Sequence, residues 1–98
     1  MNIAKEQNGS NLKITLDGRL DTTTSPELES ALQSSLDGIT ELVFDISALE
    51  YISSAGLRVL LSAQKIMNKQ GSMVIRGADE NIMEIFEVTG FVDILTIE

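Results

Sequence analysis

Two adjacent hydroxyls in the segment Asp45-Ile-Ser-Ala-Leu-Glu-Tyr-Ile-Ser-Ser-Ala-Gly-Leu57 are the groups best placed to do chemistry. Ser53 and Ser54 fall where an apolar strand pattern gives way to a helical one, so they stand at the mouth of a helix. A serine there has two available roles. Its oxygen can accept from the first free N–H groups of the helix, a cap worth about 1 kcal/mol. It can also carry a phosphoryl group, which adds about −1.5 to −2 charges near pH 7. Free N–H groups and the helix dipole favour an anion at that end, so a modified domain stays folded while its surface changes. Asp21, Asp45 and Glu50 are expected on the same face, where an added dianion opposes an acidic or tightly fitting partner. A change of about 1.4 kcal/mol is tenfold in affinity, so a modest penalty is enough for a switch. Gly56, inside the first turn, costs about 1 kcal/mol relative to alanine. The usual benefit of such a glycine is to let another backbone or a ligand come close.

Other chemistries fare worse. The chain has no cysteine and no histidine, which removes zinc sites, disulfides, cysteine nucleophiles and every Ser-His-Asp arrangement. Asp45 and Glu50 read as a solvated strand end, because no nucleophile, base and orienting group can be assembled around them. An enzyme using Ser54 with Lys65 or Lys69 as base fails on distance. Those lysines lie roughly 16 and 22 Å up the helix at 1.5 Å rise per residue. Neither a Walker A pattern nor Gly-x-Gly-x-x-Gly is present, so no nucleotide site is expected. The expectation is a binding domain that is not an enzyme, with no metal and no cofactor.

Seven basic residues against fifteen acidic ones give a formal charge of −8. That field repels nucleic acid and anionic membrane surfaces, and the basic residues form no run. No leader pattern and no apolar run long enough to span a bilayer is found, so a cytoplasmic location with protein partners is expected. The oligomeric state is left open, a monomer included.

The elements that must position the serines follow from the punctuation. The 98 residues suit one domain, 1–98, and 43% hydrophobic residues are enough for a core without metal or disulfides. Leu12, Ile14 and Leu16 alternate over 11–17 as a half-buried strand, paired through Asn8-Gly9 with a weaker strand over 3–7. Ser25-Pro26-Glu27 starts a helix with the stripe Leu28, Ala31, Leu32 and Leu36, ended by Asp37-Gly38. Residues 40–46 read as a strand covered on both faces. Residues 54–69 form the main helix, with Val59, Leu60, Ala63, Ile66 and Met67 inward and Arg58, Gln64, Lys65, Asn68 and Lys69 outward. Gly71 stops it. Residues 73–76 make a strand, Asp79 caps a helix that ends at Thr89-Gly90, and Val92–Ile97 is expected as a last strand. Met67, Met73 and Met83 are core fillers. The predicted fold class is therefore α/β: a mixed, mostly parallel sheet with about three to four helices in the order β-β-α-β-α-β-α-β. Its partner surface belongs at the carboxyl ends of the strands, in the loops over 17–25 and 47–55. Asp21 there serves equally as a partner contact or as a turn residue beside Thr22–Thr24.

Asp45-Ile-Ser47, Leu49, Tyr51-Ile52 and Ser53-Ser54-Ala55-Gly56-Leu57 resemble the signature of STAS domains of the anti-sigma factor antagonist (anti-anti-sigma factor) family. Gly18-Arg19-Leu20-Asp21, Gly71-Ser72-Met73-Val74 and Thr89-Gly90-Phe91 resemble further elements of that family, so the likeness runs along essentially the whole chain. The resemblance implies a STAS-like fold and phosphorylation at Ser54, with Ser53 the second choice. Ser53 departs from the family, where an aspartate is frequent at the matching position, and so offers a second acceptor. A partner surface of Asp21, Thr22, Ser53, Ala55, Gly56 and Leu57 is implied too. The implied function is regulation of transcription by partner switching. The unphosphorylated form binds an anti-sigma factor that is also a serine kinase and frees a sigma factor; the kinase then phosphorylates the serine, and a PP2C-type phosphatase resets it. The alternative that keeps the fold is an accessory STAS subunit of a transport or lipid-trafficking ATPase complex.

Overall fold

A computed structural model describes all of residues 1–98. The chain runs β1 (Asn2–Asn8), β2 (Asn11–Leu20), α1 (Ser25–Ser35), β3 (Glu41–Ile52), α2 (Ser54–Gln70), β4 (Ser72–Arg76) and α3 (Glu80–Thr89), then a single 3-10 turn at Phe91–Asp93. The four strands lie in the order β1-β2-β3-β4. The β1–β2 hairpin is antiparallel, whereas β2–β3 and β3–β4 are parallel. This is the expected mixed α/β sheet; β2, β3 and β4 run the same way, and β2 and β3 end together at Leu20 and Ile52 while β4 stops opposite Asp45.

Only one face of the sheet is covered. Leu12, Ile14 and Leu16 of β2, Leu42 and Phe44 of β3, and Met73 and Ile75 of β4 point into one core of 23 buried residues shared with the helices. The intervening Thr15, Val43, Asp45 and Val74 are only half-buried. The two-sided coverage expected of residues 40–46 is therefore not found; Val43 belongs to the open face.

Two further expectations are corrected by β3. Residues 47–52 continue the strand, and Asp17-Gly18 does not end β2, which runs on to Leu20. Between Thr15 and Asp17 of β2, the partner residues on β3 advance from Asp45 to Ala48. Between Gly18 and Arg19 they advance from Leu49 to Tyr51. Each step gives β3 one extra residue, and each extra residue reverses which face the following side chains meet. Leu49 and Ile52 thereby return to the core, although each follows the previous buried residue of β3 by three positions rather than two.

The last expected strand, Val92–Ile97, forms no ladder. Gly90, in the left-handed conformation, ends α3, and the chain turns at Phe91–Asp93. What remains is one parallel bridge, Ile75 to Ile97, in which Ile75 N–H donates to the Thr96 carbonyl and Glu98 N–H to the Ile75 carbonyl, both at 2.9 Å. Two residues of α2 also trade places with the expectation. Gln64 is buried at 6% exposure and Ile66 is 41% exposed. The Gln64 amide nitrogen donates to Asn68 Oδ1 at 2.9 Å, whereas its buried amide oxygen has no hydrogen-bond partner.

Gly71 stops α2 as expected, but for a spatial reason. Its backbone is extended, at φ 171°. A Cβ there would lie 1.8 Å from the Thr40 carbonyl oxygen, the same oxygen that accepts Ser72 N–H at 2.9 Å where β4 begins. Gly71→Ala is expected to destabilise the fold by about 2 kcal/mol or more by overpacking backbone against backbone. A reduced urea midpoint at unchanged slope checks this; an unchanged midpoint would show that the Thr40 segment yields freely.

Candidate functional site

The helix mouth is built on the two strand ends. Leu20 and Ile52 are paired at the last register position of β2 and β3, and both are buried. Ser53 N–H donates to the Leu20 carbonyl at 2.9 Å, and Leu57 N–H donates to the Ser53 carbonyl at 2.9 Å as the first bond of α2. Ser53 is extended (φ −96°, ψ 174°), and its Oγ accepts from Gly56 N–H at 3.4 Å. Ser53 is thus the N-cap, and its hydroxyl is engaged. Ser54 is the first residue of the helix; it is exposed, and the side-chain bond at this mouth belongs to Ser53.

The role of Gly56 follows from the same packing. A Cβ at that position would meet Leu20 Cγ at 2.7 Å and Ile52 Cγ1 at 3.0 Å. The first turn of α2 rests directly on the two strand ends because residue 56 has no side chain. Leu57 then points inward at 4% exposure. Ala55 faces the neighbouring helix instead and, with Thr22, Ser25, Pro26, Arg58 and Val59, lines a cavity of about 270 Å³ between α1 and α2.

Asp21 serves the turn. Its Oδ1 accepts from Thr23 N–H at 3.0 Å, Thr23 Oγ1 at 2.7 Å, Thr24 N–H at 3.1 Å and Thr24 Oγ1 at 3.2 Å. Its backbone carbonyl accepts from Ser25. The donation from Thr23 Oγ1 and then from Thr24 N–H holds the Asp21 carboxyl below the ordinary value of 3.8. Thr22, the central residue of this turn, makes no part of that network and is exposed. Of the expected site residues, Ser53, Ser54, Ala55 and Gly56 stand beside Thr22 and Asp21 at one end of the sheet, while Leu57 is a core residue.

Asp45 does not join them. It sits in the sheet between Thr15 and Arg76, on the order of 15 Å down the strand from Ile52. Its Oδ1 accepts from Ser47 Oγ at 2.7 Å and Ser47 N–H at 3.0 Å, and Lys13 Nζ lies 3.9 Å from Oδ2. The Ser47 hydroxyl, then the Ser47 N–H, keeps its carboxyl low, with smaller contributions from the Lys13 and Arg76 charges. Asp45 thus braces the first extra residue of β3 and adds no charge at the helix mouth.

Sequence reasoning missed Arg19 and Tyr51. Paired in register on β2 and β3, they stack with the guanidinium carbon 4.4 Å from the ring centroid, and Arg19 Nε lies 3.9 Å from Asp21 Oδ2. An Asp-Gly read as a turn hid their pairing. Arg58 was placed only on the wet side of α2, and nothing in the sequence showed that it faces a cleft.

The comparisons agree with this fold. The STAS domain family model matches residues 2–98, and the chain belongs to the STAS domain family. It is 32% identical, over 100% of its length and 90% of the relative's, to the anti-sigma-B factor antagonist of Listeria monocytogenes. The crystal structure of an anti-sigma factor antagonist from Mycobacterium paratuberculosis superposes with a TM-score of 0.88 at 23% identity, covering 98% of this chain and 83% of that one. The Bacillus cell fate determinant SpoIIAA in its phosphorylated form superposes with a TM-score of 0.77 at 14% identity, covering 99% and 91%. At these identities the structural likeness is one of fold. No helix is long and apolar enough to cross a membrane.

Two outcomes check the local roles. Ser53→Ala is expected to lower stability by about 0.5–1 kcal/mol through loss of the cap, Gly56→Ala by about 1–3 kcal/mol through overpacking, and Ser54→Ala by less than about 0.5 kcal/mol, all read from urea midpoints. Asp21 has a depressed folded-state pKa, so its contribution is full above the ordinary value of 3.8 and is lost as pH falls through the folded value. Amide exchange at Thr23 and Thr24 is therefore expected to lose protection selectively on acidification below about pH 4; uniform loss along the chain would assign the turn's stability elsewhere.

Proposed function

We propose that this chain is an anti-sigma factor antagonist controlled by phosphorylation of Ser54. The observation that carries the reading is the division of the two hydroxyls: Ser53 Oγ is held by Gly56 N–H, whereas Ser54 is exposed at the first position of α2. A likeness to the antagonist of Listeria monocytogenes over the whole chain supports it. So does the fold shared with a protein solved in a phosphorylated form.

In the proposed cycle the unphosphorylated chain binds an anti-sigma factor serine kinase in the cytoplasm and frees the sigma factor. The docking face centres on the mouth of α2 and the Asp21–Thr22 turn, with Ala55 at its edge; Gly56 and Leu57 hold that face in place from below. Ser54 Oγ then attacks the γ-phosphorus of ATP held by the kinase. An Oγ–P bond forms, the bond from phosphorus to the bridging oxygen breaks, ADP leaves and the hydroxyl proton passes to a base on the kinase. A PP2C-type phosphatase returns the hydroxyl with water, releasing inorganic phosphate. The chain itself is substrate and ligand, not catalyst.

The dianion sits where the free N–H groups of α2 accept it, so the fold is retained and the change falls on the docking face. Ser54→Asp is accordingly expected to weaken kinase binding by about tenfold or more with an unchanged circular dichroism spectrum. Incubation with the cognate kinase and ATP is expected to add one phosphoryl mass to the native chain and to Ser53→Ala, and none to Ser54→Ala. Full modification of Ser54→Ala with none of Ser53→Ala would reverse the assignment of the acceptor.

A further inference from the structure

We propose that Arg58 is the residue that holds the phosphoryl group on Ser54 and sets its charge; this rests on the reading of Ser54 as the acceptor. Ser54 and Arg58 are four residues apart on α2, the spacing that brings side chains onto one helix face with Cβ atoms about 5–6 Å apart. Both are exposed. The ion pairs of the protein engage Lys13, Arg19 and Arg76, and Arg58 is left with its full donor capacity. It is also the one cation on the wall of the cavity between α1 and α2, where Thr22 supplies a further exposed hydroxyl, that of Ser25 being donated to the Asp21 carbonyl. That cavity, about 270 Å³, is lined by Ala55, the residue after Ser54, and is large enough for a tetrahedral anion.

The chemistry favours an arginine in this position. Its planar fork donates two parallel N–H bonds to phosphate oxygens, and it stays charged at every accessible pH. Glu29 of α1 lines the same cavity with the opposite sign. The phosphoryl group is thus drawn to the α2 side and away from α1. Asp21 lies on the turn before α1, with its Oδ1 already saturated by Thr23 and Thr24, and adds to the repulsion from that direction. The phosphorylated chain then presents a phosphate–guanidinium pair fixed over the cavity, and a partner loses both the free hydroxyl and the free cation of the docking face in one event.

The test uses the full chain with phosphoserine installed at position 54 by chemical ligation, so that no kinase is needed, and follows the phosphorus NMR shift against pH. The second pKa of phosphoserine is ordinarily about 6. It is expected to lie lower in the native chain and to rise by about half a unit in Arg58→Gln. Arg58→Lys, which keeps the charge without the fork, is expected between the two. Lys65→Gln, farther along the same helix, is expected to leave the value unchanged. A second pKa identical in the native chain and in both Arg58 variants would overturn the proposal. Failure of a kinase to modify Ser54 would instead strike at the proposed function and leave this titration readable.

Discussion

The absence of a side chain at residue 56 is the constraint on which the functional end of the molecule depends. The space that a Cβ would take is filled by Leu20 and Ile52, the last paired residues of two parallel strands. Because α2 can settle onto those side chains, Ser53 comes within reach of the Leu20 carbonyl, and its own carbonyl starts the helix. The turn is thereby fixed at three points: one strand end through a backbone bond, two core side chains through contact, and the helix through its cap. Ser54 follows from that fixation. It is the first residue past the anchored cap, and it has nowhere to point but outward.

The path of β3 matters as much as its end. A strand of strict alternation running from Leu42 would place even-numbered residues inward throughout. Two extra residues shift that parity twice, first to Leu49 and then to Ile52. Without them the apolar side chains at 49 and 52 could not both reach the core, and Ser53 would leave the sheet at a different height. Asp45 and Ser47 brace the first of these irregularities, and a Cβ on Gly77 would strike Ser47 Cβ at 2.8 Å. Carboxylate, hydroxyl and glycine in that region therefore serve the strand's geometry. The charge that bears on the serine is contributed by the helix dipole, Arg58 and the Asp21 turn.

Much of this was legible from residue types alone, and the limits have physical causes. Leu12, Ile14 and Leu16 announced β2 because burial on one face imposes a period of two. Asp79 and the Ser53-Ser54 pair announced helix starts because short polar side chains satisfy free N–H groups. Residues 47–52 read as a loop because an extra residue breaks the alternation that pattern reading relies on, and Asp17-Gly18 read as a turn because glycine signals turns and irregular strands alike. The last strand was overread from Val92, Ile94, Leu95 and Ile97. Of these only Leu95 is fully buried and Ile97 partly so, while a left-handed Gly90 and a 3-10 turn consume the length a ladder would need. Which of the two serines caps the helix turns on a boundary of one residue. Sequence periodicity does not resolve helix boundaries so finely.

That single residue separates two very different consequences for a phosphoryl group. On Ser53 it would replace the hydroxyl that accepts from Gly56 N–H and caps α2. Modification there would compete with the fold. On Ser54 the same group would leave the cap untouched, keep the favourable end of the helix dipole and, as proposed, meet Arg58 on one side and solvent on the other. The acidic balance of the chain, −8 overall, repels an added dianion only weakly at long range because salt screens it within about 10 Å. Local groups decide the outcome. A residue whose modification alters the surface while leaving stability intact is what the proposed switch requires, since such a cycle must return to the starting fold each time the phosphate is removed. In this chain the cap at 53 and the free hydroxyl at 54 divide those two requirements between neighbouring serines.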